Sequence, residues 1–89
     1  MTPKIINGAT LITLSDGNVV RIPCHRHGDV YKILCTFNIS YFKGRECQGF
    51  IAYDGEYEWF VKRNEAARIA FAAGQIKEEK SELFTEDLW

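Results

Sequence analysis

The first quarter of the chain has the pattern of a β-hairpin. Two runs rich in β-branched residues, 9–14 and 19–22, flank the tetrapeptide Ser15-Asp16-Gly17-Asn18. An Asp-Gly pair between two such runs is a strong signal for a tight hairpin turn. We therefore predict a hairpin over residues 4–23. Pro23 is expected to end the second strand, because proline has no N–H to donate to a neighbouring strand.

Apolar residues with the spacing of a helix follow the hairpin. These positions, spaced by three and four residues, are Val30, Ile33, Leu34 and Phe37. This spacing places them on one face of a helix. Asp29 immediately precedes them and is a favourable N-cap residue. The pattern predicts a helix from Val30 to about Asn38, followed by a loop over residues 39–45.

The second half of the chain repeats the order of hairpin and helix. Residues 46–53 and 58–61 are predicted strands around the turn Asp54-Gly55-Glu56. Residues 63–73 are mostly good helix formers, dominated by alanine. Gly74 is well placed to end this helix in a left-handed conformation.

These elements predict an α+β fold in the order ββαββα, with two antiparallel hairpins forming a sheet and two helices packed on it. A length of 89 residues, 46% of them hydrophobic, suits a single domain over residues 1–89. After a charged link over residues 77–82, the apolar residues expected to return to the core are Leu83, Phe84, Leu88 and Trp89. Because so small a domain buries a modest share of its surface, we also expect a homo-oligomer.

Charge and cysteine content narrow the function classes. The formal net charge is −1, which argues against a nucleic-acid partner, since such proteins need a basic face. The cysteines, Cys24, Cys35 and Cys47, are odd in number and follow no secretion signal, so we expect free thiols in a reducing cytoplasm. No apolar stretch approaches the roughly 20 residues that cross a bilayer, so no membrane partner is expected.

The second half also resembles a family of small, largely uncharacterised bacteriophage proteins. The matching residues are Gly49-Phe50, the turn at Asp54-Gly55, Phe60-Val61, Arg63, Glu65-Ala66-Ala67, Ala73-Gly74-Gln75-Ile76 and Thr85-Glu86-Asp87-Leu88-Trp89. Arg26-His27 matches an Arg-His element that similar proteins carry in their first half. Lys62 stands where the family pattern has an acid before the helix, and Thr85 where it has serine. The resemblance covers about the last 40 residues well and implies a small accessory role in a phage-infected bacterial cell.

The segment with the most side chains able to bind a ligand is Cys24-His25-Arg26-His27-Gly28-Asp29, just before a predicted helix. The N-terminus of a helix favours anions, and arginine binds phosphate through two parallel hydrogen bonds. His25, Arg26 and His27 are therefore candidate ligands for a phosphate. The alternative is a solvated polar loop with surface histidines.

Two further chemistries fit the same stretch less well. A zinc site of Cys24, His25 and His27, completed by Cys35 or Cys47, lacks the paired spacing of zinc motifs, so no metal and no other cofactor is expected. Two histidines also suit a phosphoesterase, but no nucleophile or glycine-rich phosphate loop accompanies them. We expect a protein without catalytic activity, with a small His-dependent phosphoesterase as a further alternative.

A second constellation lies around the last helix. Gln75, Glu86 and Asp87 are candidates to orient a sugar or base, provided that the tail folds back towards the first stretch. In the structural alternative, Arg63 pairs with a carboxylate, Gln75 satisfies open carbonyls at the helix end and Trp89 fills the core. The Arg-His element at a helix start, together with what the resemblance to phage proteins implies, leads us to expect a phage counter-defence protein that sequesters a small anionic, nucleotide-derived ligand. The principal alternative is an inhibitor or adaptor that binds a host enzyme, since the chain is rich in aromatic residues.

Overall fold

A computed structural model describes residues 2–89 as a four-stranded antiparallel sheet with two helices. The elements are β1 (Lys4–Thr13), β2 (Val19–Cys24), α1 (His27–Thr36), β3 (Cys47–Tyr53), β4 (Glu58–Lys62) and α2 (Arg63–Ala72), and a short 3₁₀ helix at Thr85–Asp87 follows. The strand order is β2-β1-β3-β4. The predicted ββαββα order and α+β class are confirmed.

Both helices cover the same face of the sheet. Paired residues of antiparallel strands share a face, and the register pairs Gly8 with Phe50 and Ile12 with Val20. Gly8 and Ile12 are an even number of positions apart, so Phe50 and Ile12 also share a face. Helix α2 packs on the cluster around Phe50, and helix α1 packs on the cluster around Ile12. This confirms the prediction of two helices on one sheet.

Small residues allow α2 to lie close to the sheet. Ala66, Ala67 and Ala70 are almost completely buried and face Phe50. Large side chains at these three positions would hold the helix axis further from the strands. Leu83 is also fully buried in this cluster, as predicted, whereas Phe84 is 41% exposed and does not return to the core.

Both helices end in the same hydrogen-bonded motif. Gly74 has φ = 75°, and the N–H of Gln75 donates to the carbonyl of Ala70 at 2.8 Å. At the end of α1, Asn38 has φ = 54°, and the N–H of Ile39 donates to the carbonyl of Leu34 at 2.9 Å. These are Schellman motifs, which satisfy carbonyls that a helix end leaves open. The predicted ends of both helices are confirmed.

The predicted start of α1 is wrong by three residues. The helix begins at His27, its N-cap is Arg26, and the Asp29 carboxylate lies in the first turn, 3.7 Å from the Lys32 ammonium. The cause is tertiary: the His27 ring is buried against the sheet and fixes this residue in the helix. A packed residue of this kind outweighs the local preference for an aspartate cap.

Pro23 does not end its strand. It pairs with Ala9 within β2, and the strand runs on to Cys24. β2 lies at the edge of the sheet. At an edge position whose main-chain nitrogen faces solvent, a proline costs no hydrogen bond between strands.

Candidate anion-binding site

The turn from β2 into α1 presents Arg26 to solvent and buries His27. The Nε2 atom of His27 lies 2.8 Å from the carbonyl oxygen of Gly49, and the ring meets Phe50 edge-on with a centroid distance of 5.5 Å. His27 is 7% exposed, so this hydrogen bond is shielded from water. The contact anchors the first turn of α1 to β3 and fixes where Arg26 emerges.

Gly49 is required by the close packing at this anchor. A Cβ atom on residue 49 would lie 2.2 Å from the carbonyl oxygen of Val61 and 2.5 Å from Cζ of Phe60. Main chain cannot move aside as a flexible side chain can. Glycine therefore allows β4 to pair closely with β3 while the Gly49 carbonyl accepts from His27.

The tail of the chain folds back onto Arg26. The Arg26 guanidinium donates to Thr85 Oγ1 at 3.4 Å and to the main-chain oxygen of Trp89, and it lies 4.0 Å from the Glu86 carboxylate. Thr85 is buried, whereas the side chains of Arg26 and Glu86 are 45% and 72% exposed. The structure thus brings Arg26 and Glu86, 60 positions apart in the sequence, to one place.

Aromatic rings continue this contact towards His25. The His25 and Trp89 rings are stacked with centroids 5.2 Å apart, and Trp89 stacks in turn on Phe50 at 6.5 Å. Trp89 is half-buried and packs against the core cluster of α2, while His25 is exposed. His25 therefore leaves one ring face open beside the Arg26–Glu86 pair.

A small cavity of about 160 Å³ lies between the start of α1 and the tail. Its lining comprises Arg26, His27, Gly28, Arg63, Phe84, Thr85 and Glu86. The first N–H groups of a helix have no acceptor within the helix, and they carry the positive end of its dipole. Two arginines and a helix start therefore meet here with one carboxylate.

Arg63, to which the sequence analysis gave only a structural role, also lines this cavity. Its Nη2 donates to Gln48 Oε1 at 2.6 Å, and its guanidinium lies 4.9 Å from the centre of the Phe84 ring. Its Nε is buried and has no hydrogen-bond partner. The expected carboxylate partner is replaced by the amide of Gln48. The anchor of His27 on Gly49 brings Arg26 near Arg63, because Gly49 pairs with Lys62 in the sheet, and no spacing in the sequence signals that.

Gln75 lies away from this cavity. Its side-chain amide donates to the carbonyl of Ile5 and accepts from the N–H of the same residue, both at 2.8 Å. β2 pairs with β1 only from Gly8 to Thr13 and therefore does not reach Ile5. The side-chain amide of Gln75 supplies the hydrogen bonds that a neighbouring strand would otherwise make to Ile5. Gln75 thus has a structural role, but its partner is a strand residue and not the open carbonyls of the helix end that the structural alternative named.

Asp87 also points elsewhere. Its carboxylate accepts from the Lys80 ammonium and from the N–H of Phe84, the latter at 2.9 Å. The hydrogen bond from Lys80 is the main cause that lowers the pKa of Asp87. Burial opposes it, and the N–H of Phe84 and the charge of Lys80 add smaller lowering effects. A separate cavity of about 370 Å³ contains both Asp87 and Gln75. Of the six predicted ligand residues, His25, Arg26, His27 and Glu86 are therefore neighbours, and the other two are not.

The cysteines form no second site. All three are free, and burial is the main cause that raises the pKa of the Cys24 thiol. Among residues 2–89, no three His, Cys, Asp or Glu side chains are close enough together to hold a metal ion. Within the same residues, no helix has the length and apolar character to cross a membrane.

Comparison with known proteins supplies the family. The profile of the family described as phage T4 y16D protein matches residues 4–89. The match includes the first hairpin, which lies outside the C-terminal pattern recognised from motifs. No curated protein and no solved structure matches the chain. Since the match spans nearly the whole sequence, the chain belongs to the phage T4 y16D protein family.

Proposed function

We propose that this phage protein binds and sequesters a small anionic, nucleotide-derived ligand without catalysis, in the cytoplasm of the infected host. The observation that carries the proposal is the cavity in which Arg26 and Arg63 converge on the start of α1. The natural role of such a binder is counter-defence: it lowers the free concentration of a nucleotide signal made by the host.

The electrostatics of the cavity favour an anionic group. Arg26 can turn its guanidinium from the tail towards a ligand oxygen, and Arg63 brings a second positive charge with a buried Nε that lacks an acceptor. The main-chain N–H groups of His27 and Gly28 lie at the N-terminus of α1, where free N–H groups and the positive end of the helix dipole also favour an anion. His27 takes part through its main chain, because its ring Nε2 is engaged by Gly49.

The size of the cavity limits what enters it. Typical sites for whole small molecules have volumes of roughly 300–1,000 Å³, so about 160 Å³ suits one phosphate group and little more. In this proposal the rest of the ligand lies outside. The Glu86 carboxylate accepts hydrogen bonds from sugar hydroxyls, and the open face of His25 stacks on a base.

The positions of the histidines favour binding over hydrolysis. A two-histidine phosphoesterase needs both rings free beside the phosphate. His27 Nε2 already has a partner, which leaves His25 as the one exposed histidine ring of the two. A pair of free imidazoles is therefore not present beside the cavity, which favours binding.

Calorimetric titration of the protein with a nucleotide panel, including cyclic dinucleotides and ADP-ribose derivatives, tests the proposal. We expect saturable binding of at least one member. Replacement of a charged hydrogen-bond partner costs about 1.5–3 kcal/mol, so Arg26→Gln should weaken that binding roughly 10- to 100-fold. Arg68→Gln is the matched control, since Arg68 lies on α2, 3.8 Å from the Glu65 carboxylate and outside the cavity lining. Absence of binding across the panel would contradict the proposal.

A further inference from the structure

The two edges of the sheet differ in what their main chain offers to another strand. The edge strands are β2 and β4. In β2, the N–H of Leu14 donates to the carbonyl of Asn18 at 2.8 Å, which sets the alternation of hydrogen bonds along the hairpin. With that alternation, the main-chain groups of Arg21 and Pro23 point outward. Charged side chains and prolines are the usual means by which proteins block an edge, so the β2 edge is closed.

The β4 edge has open main-chain groups and no proline. The N–H of Asp54 donates to the carbonyl of Tyr57 at 3.2 Å, and the hydrogen bonds to β3 alternate from this pair onward. The main-chain groups of Glu58, Phe60 and Lys62 therefore point away from β3. The carbonyl of Lys62, the N-cap of α2, is used by the helix. Within residues 2–89, no main-chain or side-chain partner reaches the other outward groups.

The surrounding elements leave this edge accessible. Helix α2 follows β4 directly but packs back over β3 and β1. The Phe60 ring also lies towards β3, since its Cζ would be 2.5 Å from a Cβ on Gly49. Glu58 and Lys62 are exposed, and neither forms an ion pair within the described part of the chain. A further strand can therefore approach β4 from outside.

The sequence of β4 is complementary to itself. The strand is Glu58-Trp59-Phe60-Val61-Lys62, with an acid and a base at equal distances from its centre. When two copies run antiparallel about Phe60, each Glu58 lies directly opposite Lys62 of the other copy. Opposite charges that face each other across an antiparallel pair stabilise it, and like charges destabilise it. This charge pattern identifies a second copy of the chain, and no other strand, as the matching partner.

We propose that the β4 edge pairs with β4 of a second copy and joins two four-stranded sheets into one continuous sheet. Phe60 exchanges both of its main-chain hydrogen bonds with Phe60 of the second copy. The N–H of each Lys62 donates to the carbonyl of Glu58 in the other copy. The contact has twofold symmetry, which is the commonest symmetry of homodimers.

The charges next to the strand are compatible with this pairing. Glu56, in the turn before β4, approaches the first turn of α2 in the second copy. An acid is favourable there, because the start of a helix carries the positive end of its dipole. Glu65 of that turn has its own partner, since its carboxylate lies 3.8 Å from the Arg68 guanidinium.

Sedimentation equilibrium over about 1 μM to 1 mM protein tests the proposal. A strand of five residues buries less than the roughly 800 Å² per partner of a standard interface, so we expect a weak dimer whose population rises with concentration. Glu58→Lys should weaken self-association roughly tenfold, because both symmetric pairs change from attraction to repulsion. Lys62→Glu should do the same. An equimolar mixture of the two variants should associate about as tightly as the parent, since every facing pair in the mixed dimer is again opposite in charge.

Lys43→Glu is the matched control, because Lys43 is an exposed lysine in the loop after α1, which is tied to β1 and not to β4. It should change the Kd of the dimer less than about twofold. Hydrogen exchange locates the contact. The N–H groups of Phe60 and Lys62 should exchange more slowly as the protein concentration rises, whereas the N–H of Arg21 on the β2 edge should not.

Three results would overturn the assignment. The first is a monomer throughout the concentration range. The second is self-association that both charge reversals leave unchanged, and the third is a mixture of the two variants that associates no more tightly than either alone. The lining of the anion cavity includes no residue of β4, so the two proposals stand or fall separately.

Discussion

The replacement Gly49→Ala is the sharpest test of the packing that positions Arg26. The added methyl group would lie 2.2 Å from the carbonyl oxygen of Val61, far inside van der Waals contact, with Cζ of Phe60 at 2.5 Å. Phe60 can rotate, but the Val61 carbonyl belongs to the ladder between β3 and β4. The two strands must therefore move apart.

The expected cost follows from that displacement. Overpacking a close contact costs about 1–3 kcal/mol, and a clash with main chain belongs at the upper end of that range. For a domain of this size, 1 kcal/mol corresponds to a shift of about 4–8 °C in the melting temperature. We expect Gly49→Ala to lower the free energy of unfolding by about 3 kcal/mol and the melting temperature by roughly 12–24 °C.

Thermal and urea unfolding followed by circular dichroism measure this effect. Gly28→Ala is the matched control, because a Cβ at residue 28 has no heavy atom within 4 Å and alanine is a better helix former than glycine. It should leave the stability unchanged or slightly raised. If Gly49→Ala unfolds within about 0.5 kcal/mol of the parent, the close approach of β4 to residue 49 is wrong.

Three further outcomes are expected. Gln75→Ala should lower the free energy of unfolding by about 1–3 kcal/mol in urea titrations, because it leaves both main-chain groups of Ile5 without partners; an unchanged urea midpoint would contradict this. The hydrogen bond from Lys80 lowers the pKa of Asp87 in the folded protein below the ordinary value of 3.8. The Asp87 carboxylate should therefore stabilise the tail fully above pH 3.8, and this stabilisation should be lost as the pH falls through the pKa that Asp87 has in the folded state. Tryptophan fluorescence checks this, and Asp87→Asn should abolish the pH-dependent part. His27→Leu should cost about 1–3 kcal/mol of stability, because the Gly49 carbonyl loses its partner, and a smaller loss would mean that the anchor is unimportant.

Local signals in the sequence are sufficient for the order of the strands, the turns and the C-terminal ends of the helices, but not for the end of β2 beyond Pro23. An Asp-Gly pair and a glycine after an alanine-rich segment act within a few residues, and the structure follows them at Gly17 and Gly74. The start of α1 was misplaced because His27 is held by a contact with β3, 22 positions away in the sequence. A cap preference of about 1 kcal/mol does not outweigh such burial.

The candidate site was only partly predictable, for the same reason. The Arg-His element is recognisable from its residue types, but the residues that contact it are distant in the sequence. Arg26 meets Thr85 across 59 positions, and Gln75 meets Ile5 across 70. Nothing in the spacing of Glu86 and Asp87 shows that one faces Arg26 and the other Lys80. The different directions of the Glu86 and Asp87 side chains depend on the 3₁₀ helix at Thr85–Asp87.

The central claim is that the cavity between α1 and the tail holds the anionic group of a ligand. An NMR titration of isotope-labelled protein with ADP-ribose and, in parallel, inorganic phosphate tests it most directly. We expect saturable shifts concentrated at the amides of His27, Gly28 and Glu86, with phosphate reproducing those at His27 and Gly28. Shifts that fail to saturate, or that fall elsewhere on the molecule, would contradict it.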